Sequence, residues 1–519
     1  MCGISGIINK DGKCVTLNEI KSITDLIVEG DVYIPESLAG IEKIIYTSGK
    51  AKINKASTQN DKVAVQGQLN YNFIYRGNDE NSATQAVNGK IDFMEEIPMA
   101  GVTEGMTANI TASIDYIDSK IISDKKALLK AVINIDLEAI DKRSIEYISD
   151  FGEDESVQTK ANTVSYTDMV SKQETQIPIS ENIVIEPNMN EIQNVLKIDS
   201  NCKITEVDIM NERILIEGIC EIGVLYTENN SFATLNFITK EFPFTHYMEV
   251  KNADDSMMKN INASILNIDC VVSKDDNDER KILTFDIEML VTAELYNKFN
   301  KNVITDAYST TNEIEIESSN ISLSSIIDFV ETKEDFEKSI DVDSATIKEI
   351  YYYEATPKIS EKNIYEDKVV IDGFVDLNVI FLNGDNNKVD SISASVPFAT
   401  SIDLLNYDNI SDVDVKISIE DLGAYRKGIN TILVEAKLVS KSSIKDDKKV
   451  FVINDIVIGE KLNRKNTPSL VFRVVQPNES IWDIAKNYNV SIDYLKKLNN
   501  LDLNQDLEAG TKIIITRQA

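Results

Sequence analysis

The chain has 519 residues, too many for one hydrophobic core, and this length predicts about two to four domains. Its 86 acidic and 53 basic residues give a formal net charge of −33, which argues against nucleic acid or an anionic membrane as a partner of the whole chain. The 5 cysteines are scattered without a Cys-x-x-Cys pair, which favours a reducing compartment over a disulfide framework.

The amino-terminal segment lacks the basic and apolar regions of a signal peptide. No apolar run reaches the roughly 18 residues that a membrane-spanning helix needs. We therefore expect a cytoplasmic protein with no signal peptide and no membrane span.

The first residues, from Met1 to Lys13, resemble the start of class II glutamine amidotransferases, in which the exposed Cys2 is the nucleophile. Arg76-Gly-Asn-Asp79 and Asn88-Gly-Lys-Ile91 are similar to motifs that hold glutamine in that family. These two motifs start only 12 residues apart, too close for separate strands of the amidotransferase fold. We interpret segment 1–28 as amidotransferase-like in sequence only and keep a Cys2-dependent amidotransferase as the less favoured alternative.

The middle of the chain repeats one pattern three times. Each copy has a glycine 15 residues after a lysine and 8 residues before an aromatic residue, and the residues are Lys52, Gly67, Tyr75; Lys203, Gly218, Tyr226; and Lys358, Gly373, Phe381. Upstream, an apolar stretch opens at Ile41, Ile192 and Ile347, and downstream come Ile97-Pro98, Phe242-Pro243 and Val396-Pro397. Self-similarity at this many fixed offsets indicates a repeat architecture.

Each copy alternates apolar and polar residues with the period of a strand, as in the stretch from Thr284 to Leu290. Turn-forming residues separate these runs, for example Arg76-Gly-Asn-Asp79 and Asn383-Gly-Asp385. We therefore predict, for each copy, one short helix that leads into an antiparallel, mostly β domain. The recurrent glycine suggests a bulge or a close backbone approach, and the recurrent aromatic residue suggests a core position.

This pattern, with the stretch from Glu29 to Pro35, resembles the SPOCS domain of clostridial spore-coat proteins. We assign the copies to residues 29–145, 160–300 and 325–444, with polar linkers between them and a linker at 445–468 before a terminal module at 469–517. The predicted fold class is mostly β (α+β), with three tandem antiparallel β-rich domains followed by a small βααβ module.

The terminal module has its own sequence pattern of strand, helix, helix and strand. Ser480 and Ser491 stand at N-cap positions, Asp483 follows three residues after Ser480, and Ile481, Ile484, Ala485 and Tyr488 share one helix face. The segment resembles a LysM domain. Three SPOCS-like units followed by a LysM domain resemble the SipL-like proteins of sporulating clostridia.

Trp482, the only tryptophan, lies about 100° from that helix face, and we expect it to be at least partly exposed. The predicted partner-binding or glycan-binding residues are this side chain and the two loops of the module, namely Pro477, Asn478, Glu479, Trp482, Asn504, Gln505 and Asp506. We predict no catalytic residue, no metal site and no cofactor, and the single histidine, His246, lacks the partners of a zinc site.

The resemblance implies a non-enzymatic spore-coat or spore-envelope assembly protein. Its LysM domain would bind a SpoIVA-like coat ATPase at the forespore surface in the mother cell, together with other coat proteins. The alternative is a LysM protein that binds peptidoglycan or cortex glycan. Many LysM domains carry Gly-Asp where this chain has Asn478 and Glu479, a change in the loop that helps to form the glycan groove.

Overall fold

The structure is a computed structural model of the chain. It describes residues 12–79, 83–148, 156–210, 212–230, 234–251, 253–343, 345–407, 409–464, 468–501 and 507–516. Strands dominate it from Gly12 onward, and two short helices lie near its carboxyl end.

Each repeat domain consists of six strands in two three-stranded antiparallel sheets. The first domain contains β1 (Gly12–Tyr33), β2 (Ile41–Gln59), β3 (Lys62–Gly77), β4 (Thr84–Pro98), β5 (Thr107–Ser123) and β6 (Lys126–Tyr147). The second contains β7 (Val157–Val184), β8 (Ile192–Met210), β9 (Arg213–Glu228), β10 (Leu235–Glu249), β11 (Met258–Lys274) and β12 (Arg280–Ser309). The third contains β13 (Asn312–Asp341), β14 (Ile347–Ile364), β15 (Lys368–Asn383), β16 (Val389–Asp403), β17 (Asp412–Arg426) and β18 (Thr431–Lys461).

The sheet order is the same in all three domains. In the first domain the sheets are β1-β6-β5 and β2-β3-β4, and the equivalent strands pair in the same order in the other two. The central strands β3 and β6 contribute alternate side chains such as Leu69, Phe73, Leu129 and Ile133 to one buried core. Each domain is therefore a small β-sandwich, and the prediction of antiparallel, mostly β repeats is confirmed.

The short helix predicted at the start of each domain is wrong, because Ile41, Ile192 and Ile347 open strands β2, β8 and β14. Three register shifts interrupt each of these strands, and in β2 the first two lie between Ile41 and Lys43 and between Ile44 and Tyr46. The same two shifts recur in β8 and β14. Each bulge adds one residue to the strand, so an apolar side chain packs on the domain core after three residues and another is buried in a cluster between the domains after four. This spacing mimics a helical period.

The predicted domain boundaries lie inside strands of the structure. Strand β1 begins at Gly12 and pairs with β6 along its whole length, so residues 12–28 belong to the outer strand of the first domain. Strands β7 and β13 run through the segments predicted as linkers, and β18 continues to Lys461 through most of the predicted 445–468 linker. Polar composition was misleading here because outer strands with one solvated face are rich in polar residues.

The recurrent glycines allow a close approach in all three domains. A Cβ atom on Gly218 would lie 2.5 Å from both the carbonyl oxygen of Lys203 and the ring of Phe244. Gly67 and Gly373 have the same two kinds of neighbour, a lysine carbonyl and a phenylalanine ring. This confirms the close-approach prediction, and the equally recurrent Tyr75, Tyr226 and Phe381 are buried core residues as expected.

One part of the predicted repeat alignment is wrong. Phe244 pairs with Gly218 and Phe398 pairs with Gly373, but the residue that pairs with Gly67 is Phe93. The equivalent of Phe242-Pro243 in the first domain is therefore Ile91-Asp92, and Ile97-Pro98 lies six residues further along β4. Proline fits both places because these strands are at the edge of their sheets.

The three domains meet at one apolar cluster, which we call the hub. The hub is built from equivalent positions of the three domains and consists of Ile45, Tyr46, Ile74, Leu196, Leu225, Leu235, Tyr351, Tyr352 and Ile380. The bulged segments of β2, β8 and β14 supply five of these residues, because the second bulge turns adjacent side chains out of their own sandwich. The repeated bulge therefore has a function in domain association.

Lys197 occupies the hub position that Tyr46 and Tyr352 occupy in the other two domains. Its Nζ donates to Glu354 Oε2 at 2.7 Å, forms an ion pair with Asp199 at 3.0 Å, and lies 5.1 Å from the ring centroids of Tyr46 and Tyr352. The hydroxyls of both tyrosines donate to the same Glu354 carboxylate. Burial disfavours the charge on Lys197, but the neighbouring carboxylates outweigh it and raise the pKa of Lys197.

A second junction lies where the long outer strands end. The backbone N–H of Ile148, just after β6, donates to the carbonyl of Ile453 at 3.0 Å, and Ile304 donates to the carbonyl of Ile148 at 3.4 Å. These three residues share a buried cluster with Val157 and Ile456. The ends of strands from all three domains are therefore held together at this point, beside the terminal module. Within the described residues, neither helix is long and apolar enough to cross a bilayer.

Candidate partner-binding site

The terminal module is a two-stranded sheet with two capped helices. Its elements are β19 (Leu470–Val474), α1 (Ile481–Tyr488), α2 (Ile492–Asn499) and β20 (Lys512–Thr516). The Ser480 side chain accepts from the N–H of Asp483, and the Asp483 side chain accepts from the N–H of Ser480, which is the predicted capping box. Ser491 caps α2 in the same position. The predicted order of elements and both caps are confirmed.

The loop between β19 and α1 is fixed by an ion pair. Arg473 donates to the carboxylate of Glu479, with an Nε–Oε1 distance of 3.1 Å, and the backbone N–H of Gln476 donates to Glu479 Oε2 at 3.0 Å. These hydrogen bonds lower the pKa of Glu479. Glu479 therefore shapes the loop from within, whereas Pro477 and Asn478 are exposed at its tip.

Trp482 is buried, contrary to the expectation of partial exposure. Its side chain is 7% exposed, and its ring packs edge-on against Tyr308 of β12 with centroids 5.1 Å apart. The indole N–H donates to Asp306 Oδ2 at 2.7 Å. Trp482 thus faces the second domain. The helical period correctly placed it away from the face of Ile481, Ile484, Ala485 and Tyr488. The solvent exposure inferred from that position was wrong.

Three further groups of the module extend this contact. Lys486 Nζ lies 2.6 Å from Asp306 Oδ1, the Tyr308 hydroxyl donates to the carbonyl of Val490 at 2.8 Å, and the Asn489 amide donates to the carbonyl of Ser309 at 2.9 Å. We call Asp306, Tyr308, Trp482, Lys486 and Asn489 the docking cluster. The contact positions the module on the end of β12.

The docking cluster fixes the charge state of Asp306. Burial alone would raise the pKa of Asp306, but the hydrogen bonds from Lys486 and Trp482 outweigh burial and hold that pKa below its usual value. Asp306 therefore remains an acceptor for both donors at neutral pH.

The outer face of the module's sheet is apolar and exposed. Leu470, Phe472 and Val474 alternate along β19, and Phe472 pairs with Ile514 of β20. Phe472 is 73% exposed, and the other three side chains also face solvent. We call these four residues the apolar face. Contiguous exposed apolar side chains of this kind mark protein-interaction surfaces.

Of the predicted site residues, the structure brings Pro477, Asn478 and Glu479 together in one loop and turns Trp482 away from it toward β12. Asn504, Gln505 and Asp506 lie outside the described residues. Sequence reasoning missed Asp306 and Tyr308, which no local pattern connects to a module about 180 residues later. It also missed the apolar face, although the run Leu470-Val-Phe-Arg-Val-Val475 is apolar at both strand phases and could have indicated it.

The amidotransferase-like residues are in different surroundings. Cys2 lies outside the described residues. Arg76 is buried, pairs with Glu42 at 3.1 Å and donates to the carbonyl of Val389 in the third domain at 3.0 Å. Arg76 therefore joins the first and third domains. Among the described residues, no group of three or more His, Cys, Asp or Glu side chains could hold a metal ion.

Comparison with protein families agrees with this division of the chain. The SipL SPOCS-domain family matches residues 40–122, 191–273 and 346–425, and the LysM-domain family matches residues 474–516. The chain is a SipL-like protein with three SPOCS domains and a C-terminal LysM domain. It is thus a sporulation-related, LysM-containing protein. No curated protein and no solved structure shows significant similarity to it.

The family matches cover strands two to five of each SPOCS domain. The match at 40–122 corresponds to β2–β5, and the other two matches correspond to β8–β11 and β14–β17. The first and sixth strands, which pair with each other in every domain, lie outside the matches. In this protein those two strands complete the sandwich and, in the second domain, the sixth strand β12 supplies Asp306 and Tyr308 of the docking cluster.

Proposed function

We propose that the protein is a non-enzymatic assembly protein of the spore coat, whose LysM domain binds a SpoIVA-like coat ATPase at the forespore surface in the mother cell. The observation that supports a protein as the binding partner is the apolar face of Leu470, Phe472, Val474 and Ile514. Covering these side chains with an apolar protein surface is favourable by roughly 25 cal/mol per Å² of apolar area removed from water. A glycan would have to cover these side chains with hydroxyl groups, which lose their hydrogen bonds to water there.

The rest of the molecule supports this role as a rigid holder. The docking cluster fixes the LysM domain against β12, with Trp482 turned inward and Phe472 turned outward. The hub joins the three SPOCS domains through residues of equivalent position. A partner bound at the apolar face would therefore be held at a defined place relative to all three SPOCS domains, as an assembly protein requires.

The test is capture of the purified ATPase by the full chain with Phe472→Glu. A charged residue in the centre of an apolar interface is expected to weaken binding by about 2 kcal/mol or more, roughly thirtyfold. Tyr247→Glu is the matched control, because Tyr247 is 64% exposed on the second SPOCS domain and receives the same substitution. If Phe472→Glu and the unchanged chain capture the ATPase equally well, the apolar face does not bind it.

A glycan-binding function is the second candidate, because the LysM family match and the exposed Pro477 and Asn478 remain compatible with it. Co-sedimentation of the full chain with purified peptidoglycan separates the two functions. If the loop holds glycan, Pro477→Arg abolishes sedimentation, whereas Asn487→Arg on the exposed side of α1 leaves it unchanged. If the protein partner is right, neither the unchanged chain nor either variant sediments appreciably.

The non-enzymatic part of the proposal has its own measurement. Ammonia release from glutamine is expected to be the same for the full chain and for Cys2→Ala. A turnover that depends on Cys2 would show an amidotransferase activity instead.

A further inference from the structure

Two cysteines face each other across adjacent strands of the second SPOCS domain. Cys202 of β8 and Cys220 of β9 are direct partners in the antiparallel register. Directly opposed residues of a ladder project from the same face of the sheet. Cys220 is fully buried in the domain core, and the half-buried Cys202 packs against the same cluster.

The facing sheet confirms where the two thiols point. The Cys202 sulfur lies 3.5 Å from the sulfur of Met289, which belongs to β12 on the opposite sheet of the sandwich. The proximity of the two thiols also lowers the pKa of Cys220 and raises the pKa of Cys202. Both thiols therefore lie side by side between the two sheets.

The repeat shows which type of pair the cysteines form. The third domain has Pro357 opposite Val375 at the equivalent place, two residues after the recurrent glycine on the central strand. Proline has no N–H, so on an edge strand it fits a position whose backbone groups point away from the partner strand. This is the non-hydrogen-bonded type of pair, with a Cα–Cα distance of about 4.5 Å.

That spacing is compatible with a disulfide. Disulfide-bonded residues have Cα atoms about 4.4–6.8 Å apart. We propose that Cys202 and Cys220 form a reversible cross-strand disulfide when a peroxide-class oxidant reaches the second SPOCS domain.

The chemistry needs only the two thiols and the peroxide. Hydrogen peroxide transfers one oxygen to the sulfur of one of the two cysteines, and leaves a sulfenic acid and one water. The sulfur of the other cysteine then attacks this sulfur, the S–O bond breaks, and the second water leaves with the proton of the attacking thiol. The two thiols lose two electrons in total, and the peroxide gains them.

The bond would connect an edge strand to the centre of its sheet. Strand β8 also carries Lys197 of the hub, only five residues before Cys202. Fixing β8 to β9 at this position restrains the strand that supplies the hub lysine. Oxidation would thus strengthen the attachment of the second domain to its neighbours.

The test is treatment of the reduced full chain with hydrogen peroxide, followed by alkylation and non-reducing peptide mapping. The expected product is a single peptide pair that joins Cys202 to Cys220, lacks two hydrogen atoms and separates on reduction with dithiothreitol. Amide hydrogen exchange along β8 is expected to slow at least severalfold in the oxidised protein.

The neighbouring repeats supply variants that fit the fold. Cys202→Ala reproduces Ala51 of the first domain and Cys220→Val reproduces Val375 of the third, so each places a residue that this register position already accepts. Either variant should abolish the linked peptide, and Cys270→Ser, half-buried on β11, should leave it intact. Free Cys202 and Cys220 after peroxide has oxidised exposed methionines, or a link from either residue to Cys270, would overturn the proposal.

Discussion

The hub and the docking cluster join parts of the same chain by different means. The hub repeats one set of positions three times, so that apolar side chains from three equivalent strands surround one buried lysine, Lys197, which pairs with Glu354 and Asp199. The docking cluster joins two unrelated folds, and two of the polar contacts described above, from Trp482 and Lys486, converge on one carboxylate, Asp306. Repetition can build a contact from equivalent residues, whereas attachment of a foreign module depends on a few unique ones.

Loss of the hub lysine is expected to have the largest effect. In Lys197→Met the half-buried Glu354 carboxylate stays beside the hub without its cation, which costs about 3–5 kcal/mol. The measurement is the urea-unfolding midpoint followed by circular dichroism. Lys43→Met is the control, because Lys43 also pairs across domains, with Asp390, but is 48% exposed and should matter by at most about 1 kcal/mol.

A second substitution sharpens this prediction. Adding Glu354→Gln to Lys197→Met removes the stranded charge and should recover part of the loss. Similar unfolding midpoints for Lys197→Met and Lys43→Met would show that burial of Lys197 does not increase the contribution of its ion pair to stability.

Trp482→Ala is expected to release the LysM domain without disturbing the hub. Truncating a buried aromatic side chain costs about 3–5 kcal/mol, and here the loss falls on the contact with Tyr308 and on the small LysM core. Hydrogen exchange should accelerate in residues 303–310 and 481–490 while the hub strands keep their protection. Phe472→Ala, at an exposed aromatic of the same module, should change neither region.

Acid should weaken the docking cluster through Asp306. The pKa of Asp306 is lower in the folded protein than in the unfolded chain, so its contribution is complete above about pH 4, the unfolded value, and is lost as the pH falls through the folded value. Hydrogen exchange of residues 303–310, measured down to about pH 3 and corrected for intrinsic rates, should show this loss.

Asp306→Asn removes the titrating charge, should cost about 1–2 kcal/mol at neutral pH, and should flatten that acid dependence. A variant with the same acid dependence as the unchanged chain would mean that another carboxyl controls the contact.

Tyr308→Phe should have the smallest effect of the four. The ring still packs against Trp482, but the hydrogen bond to the carbonyl of Val490 is lost, which costs about 1 kcal/mol. Scanning calorimetry should detect a small decrease in the melting temperature of the LysM domain. Tyr247→Phe, at an exposed tyrosine, should show no such decrease. A decrease in melting temperature as large as that of Trp482→Ala would show that the hydrogen bond of Tyr308, and not the packing of its ring, holds the LysM domain in place.

Local patterns predicted what local physics decides. The caps at Ser480 and Ser491, the alternation from Thr284 to Leu290 and the space-limited glycines all depend on residues close in sequence or directly paired. The bulged strands at Ile41, Ile192 and Ile347 were misassigned, because a pair of bulges reproduces the three-and-four spacing of a helix. Trp482 was placed correctly on α1 but assigned to solvent, since its neighbour Tyr308 is distant in sequence.

The sequence by itself determined the three-fold β repeat and the capped terminal module, because strand alternation, turn chemistry and helix caps are set by nearby residues. Only the tertiary structure decided that the three domains share a hub with one lysine among tyrosines, and that the tryptophan of the LysM domain faces inward while its sheet face stays open. These features depend on which surfaces of separate domains meet, and that choice rests on contacts between residues far apart in the sequence, such as Lys197 with Glu354 and Trp482 with Asp306.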